Sequence, residues 1–523
     1  MVNNEIKNVI VIGGGSAGWM TATTFIRNFK ETLKITVIES PNISTVGVGE
    51  STIGGISTWL ESVGLNDISL FAKETDATLK LSIRFEDFYR IGDGGWHYPF
   101  GQANYFGTVD HSNDWCIKKI YYPETPFSDF AETYNSQMAL VKNNKLSDNF
   151  TGFDFKRDKA LHFDATKFGL FLKNKVCIPE GVIYIKSEVK DIKLDEDGSI
   201  KNITLENGQV LTADLFIDCT GFNSLLLDKT LKEEFVSYEN ILPNNSAWAT
   251  RLPYKDKEKE INSYTNCTAI ENGWVWQIPL WSRWGTGYVY SDKYVSEDDA
   301  LVEFKNFIKR KGYGNLTDDL EFRKLKMRVG LHERLWVKNV VAIGLSAGFI
   351  EPLESNGLYT VHEFLRLLMI ILKRRKYIAQ FDRDNYNHKC VDMFIQFSRF
   401  VAMHYALSHR DDTKYWRDVS QRKWTEIDGR VSSSWYNVFD QLSKRNKMNG
   451  DDGYVFLGAG MHVLPITNEI LRDQLCDKDW KEKNKLTVKP RLDYLEDRKK
   501  NWDILTKDCK STYQFLKEKY YDK

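Results

Sequence analysis

The chain has 523 residues, a length that predicts two or three subdomains around a large core. Lys plus Arg and Asp plus Glu both number 72, so the formal net charge is +0. This balance argues against nucleic-acid or membrane-surface binding driven by bulk charge. The 7 cysteines are scattered without a C-x-x-C pair, and no apolar run is long enough to span a bilayer. We therefore expect a soluble, cytoplasmic protein with no nucleic-acid and no membrane partner.

The clearest local pattern covers residues 8 to 40. NVIVI predicts a buried strand, GGGSAG a glycine loop, WMTATTFIRNF a helix, and KITVIES a second strand that ends in Glu39. This order is typical of the βαβ unit that binds dinucleotides, although a plain tight turn in another βαβ unit is the alternative. The first glycine permits the turn, the second lets the backbone approach a pyrophosphate, and the glutamate accepts ribose hydroxyls. The predicted cofactor-binding residues of this unit are Gly13, Gly15, Ser16, Ala17, Gly18 and Glu39.

The segment ATLKLSIRFEDF (77–88) alternates apolar and polar residues, which predicts a half-buried strand. Lys80 belongs to the polar set, so on the simplest interpretation it is an exposed surface lysine. It becomes catalytic only if that face lines an enclosed cavity, where desolvation would lower its pKa and bare the amine. Periodicity alone does not choose between these two interpretations. No histidine spacing predicts a metal site, so we expect none.

Further along, ADLFIDCTGF (213–222) predicts a buried strand, and GWVWQIPL (273–280) predicts a short strand that ends at Pro279. Alternate residues of a strand share a face, so Trp274 and Trp276 project to the same side. The stretch therefore predicts a wall of two indole rings, whose role is either to line a pocket or to fill a core.

The segment NVVAIGLSAGFIEPLESNGLYTVHEFLRLL (339–368) predicts a strand, a loop and a helix that begins near Leu358. A helix start offers unpaired N–H groups and partial positive charge, so a small anion can bind near Asn356 and Gly357. On the alternative interpretation Ser355 or Asn356 only caps the helix, and the two glutamates of the segment, Glu351 and Glu354, only complement its dipole. From this segment alone the alternative is preferred.

The chain after residue 361 is helical in pattern and rich in charge, and no second G-x-G-x-x-G motif occurs. The predicted fold is α/β: a Rossmann-like dinucleotide-binding domain, an inserted β-sheet region, and a mainly helical C-terminal region. The predicted division is residues 1–360 for the first two parts and 361–523 for the third.

Four segments together resemble the flavin-dependent halogenases of the tryptophan halogenase family. They are GGGSAGWMTA (13–22), GVGEST (47–52), GWVWQIPL (273–280) and GFIEPLESNG (348–357). The resemblance implies that reduced FAD, O2 and a halide ion (chloride, bromide or iodide) generate hypohalous acid. The acid then reaches a lysine and halogenates an electron-rich aromatic. It also implies that the Rossmann-like domain is an FAD-binding domain of the flavin monooxygenase type, and that the inserted β-sheet region lies on the substrate side. The implied partners are a separate flavin reductase and a small aromatic substrate, together with a possible homo-oligomer.

The resemblance also assigns roles to residues. Lys80 falls at the catalytic lysine and Glu354 at the catalytic glutamate, which polarises the reagent or takes the proton of the ring intermediate. The backbone of Asn356 and Gly357 falls at the halide site. The implied flavin site includes Gly47, Val48 and Gly49. Trp274 and Trp276 fall at the indole gate that keeps arenes from the flavin. Tyr98 and Phe100 fall in the substrate pocket.

Three departures from the family pattern bear on the substrate. In WHYPFG (96–101), Tyr98 stands where tryptophan-specific members carry histidine, and Asn356 stands where the family has threonine. The segment from Trp416 to FLGAGM (456–461) is short and lacks a tyrosine- and tryptophan-rich lid. Free tryptophan is therefore in doubt as substrate, and an indole, phenol or similar arene is expected. The alternatives are a flavin-dependent aromatic hydroxylase and a flavoprotein that binds FAD without turnover.

Overall fold

The structure is a computed structural model and describes residues 5–43, 49–422, 453–466, 469–475, 477 and 479–522. The chain divides into two compact units. The first unit comprises Met1–Thr78, Leu161–Leu252 and Leu280–Val401, and the second comprises Leu79–Ala160, Pro253–Pro279 and Ala402–Lys523. The predicted division into residues 1–360 and 361–523 stays a prediction, because it separates the chain by function and the two compact units do not test it.

In chain order, the strands of the described residues are β1 (Asn8–Ile12), β2 (Lys34–Glu39), β3 (Gly49–Ser51), β4 (Thr78–Lys80), β5 (Ser82–Glu86), β6 (Gly95–Pro99), β7 (Lys145–Leu146), β8 (Ala160–Asp164), β9 (Ile183–Lys186), β10 (Val189–Leu194), β11 (Ile200–Leu205), β12 (Val210–Leu211), β13 (Leu215–Asp218), β14 (Phe235–Ser237), β15 (Ser246–Leu252), β16 (Tyr264–Ile270), β17 (Gly273–Pro279), β18 (Trp284–Tyr290), β19 (Arg323–Lys326), β20 (Gly330–His332), β21 (Trp336–Val337), β22 (Val340–Ala342), β23 (Gly348–Phe349) and β24 (Lys510–Ser511).

The α-helices of the same residues, also in chain order, are α1 (Ser16–Phe29), α2 (Gly55–Ser62), α3 (Ile68–Thr75), α4 (Asn113–Tyr121), α5 (Asp129–Tyr134), α6 (Gln137–Lys142), α7 (Ala165–Phe171), α8 (Lys257–Glu260), α9 (Glu297–Ile308), α10 (Gly357–Arg374), α11 (Gln380–Ala406), α12 (Lys414–Ser420), α13 (Gly453–Gly460), α14 (Glu469–Gln474), α15 (Trp480–Leu505) and α16 (Thr512–Leu516). Within the part of the chain that the structure describes, no helix is long and apolar enough to cross a membrane.

The core of the first unit is a six-stranded sheet in the order β21-β22-β13-β1-β2-β9. Its neighbours pair in parallel, except β21 with β22, which are antiparallel. Strands β1 and β13 are apolar along nearly their whole length, as strands buried on both faces require. Ile10, Ile38 and Phe216 of this sheet pack with Ile203 and Leu205 of the small sheet β10-β11-β12. The predicted βαβ unit and the α/β fold class are confirmed.

The second unit contains the strands β17-β16-β5-β6 as neighbours, with β16 and β5 parallel and the other two pairs antiparallel. The predicted strand over 77–88 is interrupted at Leu81, which separates β4 from β5. The expectation that the polar residues of this segment face solvent is wrong, because Lys80 and Ser82 are both 0% exposed. Both faces of this segment are covered, because Leu79 and Leu81 of the apolar set are also 1% exposed or less.

The C-terminal region is mainly helical, as predicted, and in the second unit α15 packs on α4 and α5. Its anchor is an ion cluster around Asp129, whose carboxylate accepts hydrogen bonds from Lys118 at 2.5 Å and from Lys499. Arg498 donates to the backbone carbonyl of Thr133 at 2.6 Å. Removing one partner of a buried ion cluster is destabilising, so α15 is held by charge as well as by apolar contact.

Candidate functional site

The glycine loop of the first unit is built by close contacts that exclude side chains. Gly13 has φ +119°, and a Cβ there would lie 2.1 Å from the carbonyl oxygen of Cys219. A Cβ on Gly18 would lie 1.9 Å from the carbonyl oxygen of Gly13. Gly15, by contrast, precedes the first residue of α1, and a Cβ there would meet no atom within 4 Å. The loop therefore packs tightly on β13 and leaves open space at the N-terminus of α1, which suits a pyrophosphate.

Glu39, at the end of β2, folds across the middle glycine of the loop. A Cβ on Gly14 would lie 2.3 Å from Glu39 Cγ. The Glu39 carboxylate accepts a hydrogen bond from Lys173 Nζ at 2.6 Å. Sequence reasoning missed both Gly14 and Lys173, because a lysine 134 residues away carries no local sign of this contact. The open helix start and the carboxylate beside it fit the phosphate and ribose parts of FAD.

The predicted flavin-site residue Gly49 lies on strand β3. The other two, Gly47 and Val48, lie outside the described residues. The next residue, Glu50, is half-buried beside Phe163 of β8. Burial raises the pKa of Glu50 to about 7, and repulsion from Asp164 adds to the rise. Asp164 itself accepts a hydrogen bond from Arg283 at 2.7 Å. An acid that titrates near neutrality therefore lies on the strand that also carries Gly49.

The segment Glu351 to Gly357 places two buried acids before helix α10. Glu351 is 0% exposed and Glu354 is 2% exposed, so neither is a solvated group that only complements the helix dipole. Glu351 Oε2 accepts a hydrogen bond from Asn244 Nδ2 at 2.7 Å. Glu354 closes a single 3₁₀ turn, Pro352–Glu354. The two acids thus occupy different environments although only two residues separate them.

Ser355 turns the chain between Glu354 and the helix. It has φ +58°, a left-handed conformation that costs free energy for any residue with a side chain. Its Oγ lies 2.9 Å from Ser51 Oγ, so one hydroxyl donates to the other. This bond joins the segment to β3, 304 residues earlier in the chain. The strained turn is therefore held by a hydrogen bond to β3.

Helix α10 begins at Gly357, close to the predicted start at Leu358, and Asn356 is its N-cap residue. The Asn356 side chain is 2% exposed and makes no capping hydrogen bond. A Cβ on Gly357 would meet no atom within 4 Å. The capping interpretation is therefore wrong for this asparagine, and the first N–H groups of α10 adjoin open space. Uncapped N–H groups at a helix start attract a small anion.

In the second unit, Lys80 Nζ lies 5.0 Å from the centre of the Phe100 ring. Tyr98, on β6, stacks on Phe456 of α13 with ring centres 5.8 Å apart. His97, its neighbour, instead shares a hydrogen bond of 2.9 Å with Ser82. Burial lowers the pKa of His97 to about 3, with the nearby Arg84 charge as a second cause, so this ring stays neutral. Lys80 and Phe100 are in contact, as a shared pocket requires.

Trp274 and Trp276 share one face of β17, with ring centres 6.3 Å apart. They are 1% and 7% exposed. Small residues stand directly opposite them on β16, since Trp274 pairs with Ala269 and Trp276 with Cys267. Paired residues of neighbouring strands point to the same side of a sheet. By this register Trp276 lies in one row with Phe85 and Trp96, and Tyr98 lies on the same face.

Comparison with known proteins gives a consistent result. Residues 8–475 match the family model described as tryptophan halogenase. The chain is 30% identical over 550 residues to tryptophan 6-halogenase ThaL of Streptomyces albogriseolus, with 99% of each chain covered. The apo structure of VirX1 has a TM-score of 0.89 and 36% identity, with 99% of each chain covered. Tryptophan 6-halogenase SttH of Streptomyces toxytricini has a TM-score of 0.82 and 30% identity, covering 98% of this chain and 99% of that one.

The raised pKa of Glu50 predicts a pH-dependent gain in stability for Glu50→Gln. A carboxyl whose pKa is raised in the folded state stabilises the fold below its usual pKa of 4.5, and this contribution is lost as the pH rises to about 7. Glutamine never ionises. Between pH 4.5 and pH 8, the free energy of unfolding of the variant relative to wild type should therefore rise by about 1–2 kcal/mol, after allowance for partial solvent screening. Urea denaturation at both pH values measures it.

The exposed Glu61 of α2 supplies the control. Glu61→Gln should change the free energy of unfolding by the same small amount at both pH values. If Glu50→Gln behaved like Glu61→Gln, the Glu50 carboxyl would be an ordinary solvated acid.

Proposed function

Since the chain belongs to the tryptophan halogenase family and is a flavin-dependent halogenase, we propose that it uses reduced FAD, O2 and a halide ion to halogenate an electron-rich aromatic such as an indole or a phenol. The observation that carries this proposal is the buried Glu354 beside the open start of α10, tied to β3 through Ser355 and Ser51. A buried acid, the start of a helix beside open space and strand β3 therefore lie together within the first unit, and this arrangement supports the proposal.

FAD is the proposed cofactor; in its reduced form it would activate O2, and the activated oxygen would oxidise a halide ion to hypohalous acid. The proposed holding residues are those of the glycine loop, with Glu39 for the ribose and β3 for the flavin side. Their support is the open space at Gly15 and the contacts that forbid side chains at Gly13 and Gly18. A separate flavin reductase is the proposed partner, because the chain carries a single dinucleotide-binding motif.

The halide is proposed to bind the first N–H groups of α10, at Asn356 and Gly357. The uncapped helix start and the space beside Gly357 support this assignment. Glu354, next to this position in the chain, is proposed to hold a proton at its carboxylate or to accept one from the arene during substitution. A positioned carboxylate is suited to this role because it can act as an acid or as a base in proton transfer.

Lys80 is proposed to hold the oxidised halogen by a hydrogen bond from its ammonium group or as a haloamine. Its support is complete burial and the contact with the Phe100 ring, which belongs to the proposed substrate pocket with Tyr98. Trp274 and Trp276 are proposed to exclude arenes from the flavin. Two large, buried and mutually packed rings form a rigid barrier, so a small ion and an aromatic molecule would be separated by size.

The substrate is proposed to be an arene other than free tryptophan. The proteins ThaL and SttH are named tryptophan 6-halogenases. In this chain Tyr98 occupies the position at which tryptophan-specific enzymes carry histidine, and its ring is already stacked on Phe456. Because the Tyr98 ring packs on Phe456, we propose that this pocket accepts an arene of a different shape from the amino acid tryptophan.

The experiment that tests the function supplies the purified protein with reduced FAD and O2. A panel of indoles and phenols is offered with chloride, bromide or iodide, and the products are analysed by mass spectrometry. We expect one halogen in place of one hydrogen, only when halide is present, and no turnover when NADH or NADPH and oxidised FAD replace reduced FAD. A hydroxylated product without halide would identify an aromatic hydroxylase. FAD binding without any halide-dependent product would identify a flavoprotein that lacks turnover.

Lys80→Met should abolish arene halogenation and leave FAD affinity unchanged, because it removes the ammonium group and preserves the length of a buried side chain. Product formation and FAD titration measure the two effects. Lys159→Met is the matched control. Lys159 is also a buried lysine of the second unit, and its Nζ lies 4.9 Å from the centre of the Phe155 ring. Halogenation by the Lys80 variant at the rate of the Lys159 variant would remove Lys80 from the catalytic residues.

Glu354→Gln should slow arene halogenation by about 10²-fold, the usual effect of losing a positioned acid or base. Hypohalous acid should still form, and a small diffusible probe traps it. Glu351→Gln alters the partner of Asn244, so it should lower the free energy of unfolding by about 1–2 kcal/mol and change the rate little. Rates and melting temperatures of both variants decide between the roles. Similar rates for the two variants would show that Glu354, like Glu351, is a structural acid.

A further inference from the structure

Lys173 is a residue of the first unit that the proposed chemistry does not use. It follows helix α7, and its ammonium group donates to Glu39 Oε2 at 2.6 Å. The same Nζ lies 3.8 Å from the centre of the Tyr184 ring and 5.5 Å from that of Trp19. These partners come from β2, β9 and α1, the elements that form the predicted dinucleotide-binding unit and its neighbouring strand. The ammonium group is therefore held in one place by a carboxylate and two aromatic faces.

The contact with Lys173 fixes how the Glu39 carboxylate is turned. Oε2 meets Lys173, whereas a Cβ on Gly14 would lie 2.5 Å from Oε1. Oε1 therefore faces the glycine loop. Among the described residues Lys173 is the one donor to this carboxylate, and an ionised carboxylate has about four acceptor positions. Oε1 thus keeps its acceptor capacity on the side where a dinucleotide would lie.

The Glu39 carboxylate and the pyrophosphate of a bound cofactor would both be negatively charged. A carboxylate next to a pyrophosphate site repels the phosphates, and the repulsion is strong where solvent is partly excluded. The side chains of Lys173 and Glu39 are 14% and 24% exposed, so water screens the pair only in part. The Lys173 ammonium group offsets the carboxylate charge without occupying Oε1.

We propose that Lys173 is a positioning residue for the cofactor: it holds Glu39 so that Oε1 accepts a hydrogen bond from the 2′-hydroxyl of the adenosine ribose, and it offsets the repulsion between Glu39 and the pyrophosphate. This inference rests on the proposed binding of FAD at the glycine loop. It predicts that Lys173 controls both the affinity for FAD and the selectivity for a ribose over a 2′-deoxyribose.

The test compares the binding of FAD with that of an FAD analogue whose adenosine carries 2′-deoxyribose. Dissociation constants are measured by the change in flavin fluorescence, so no turnover is needed. Wild type should bind FAD about 10-fold more tightly than the analogue, since a hydrogen bond to a charged acceptor is lost. Lys173→Met should weaken FAD binding by about 10- to 100-fold and reduce the preference to about 2-fold or less. Lys173→Arg should restore part of the preference, because it keeps a cation.

The matched control is Lys175→Met, two residues along the chain. Lys175 pairs with Glu74 at 3.4 Å and is 54% exposed, so its loss removes the same charge away from the glycine loop. This variant should bind both ligands as wild type does. Circular dichroism and melting temperatures establish that each variant is folded, and if Lys173→Met is unfolded, the Arg variant carries the test.

The outcomes separate the inference from the proposed function. If wild type does not bind FAD, the proposed cofactor site is wrong and the inference falls with it. If wild type binds FAD and the Lys173 variants keep the full preference for ribose, Lys173 is only a structural partner of Glu39, and the inference alone is overturned. An equal loss of affinity for both ligands would overturn it in the same way, because a general loss of stability does not distinguish the sugars.

Discussion

The close approach of the glycine loop to strand β13 is the constraint on which the proposed cofactor site depends. No side chain fits at Gly13 or Gly18, because the carbonyl oxygens of Cys219 and Gly13 already occupy the space that a Cβ needs. This approach brings the start of α1 to the carboxyl ends of β1 and β13, and it leaves the helix N–H groups facing outward. Glu39 then lies across Gly14, where a Cβ would lie 2.3 Å from Glu39 Cγ. These close contacts within six residues leave open space beside Gly15, where the pyrophosphate of the cofactor is proposed to bind.

Asp218 and Glu50, two acids of the first unit, differ in the groups that surround their carboxylates. Asp218 accepts hydrogen bonds from the backbone N–H groups of Thr220, Leu226 and Leu227 and from the Thr220 hydroxyl. Burial nevertheless raises its pKa, although these hydrogen bonds act in the opposite direction. This carboxylate is a structural group, since it satisfies the chain that turns away from β13. For Glu50 burial and a neighbouring negative charge act together, and its pKa rises to about 7. An acid poised near neutrality costs stability, which proteins accept mainly where protonation serves a function.

Local sequence patterns predicted the parts of the fold that depend on neighbours in the chain. The βαβ unit, the end of β17 at Pro279 and the start of α10 near Gly357 all follow from periodicity, glycine and proline within a few residues. The burial of Lys80 did not follow, because a strand pattern gives two faces and does not say what covers them. Nor did the Ser51–Ser355 and Glu39–Lys173 contacts, which join residues 304 and 134 positions apart. Such contacts are properties of the packed chain.

The two-indole wall shows why packing and gating are compatible roles for Trp274 and Trp276. Ala269 and Cys267 on the neighbouring strand are small, so the sheet leaves room for the rings without displacing its own backbone. The tilt of 60° between the rings is an edge-to-face arrangement, which adds a favourable contact to the area buried. A barrier that discriminates by size must not yield to the larger molecule, and a loosely packed ring would rotate aside. Core packing of the two indoles is therefore a physical condition of the proposed gate, and the same contacts can serve both roles.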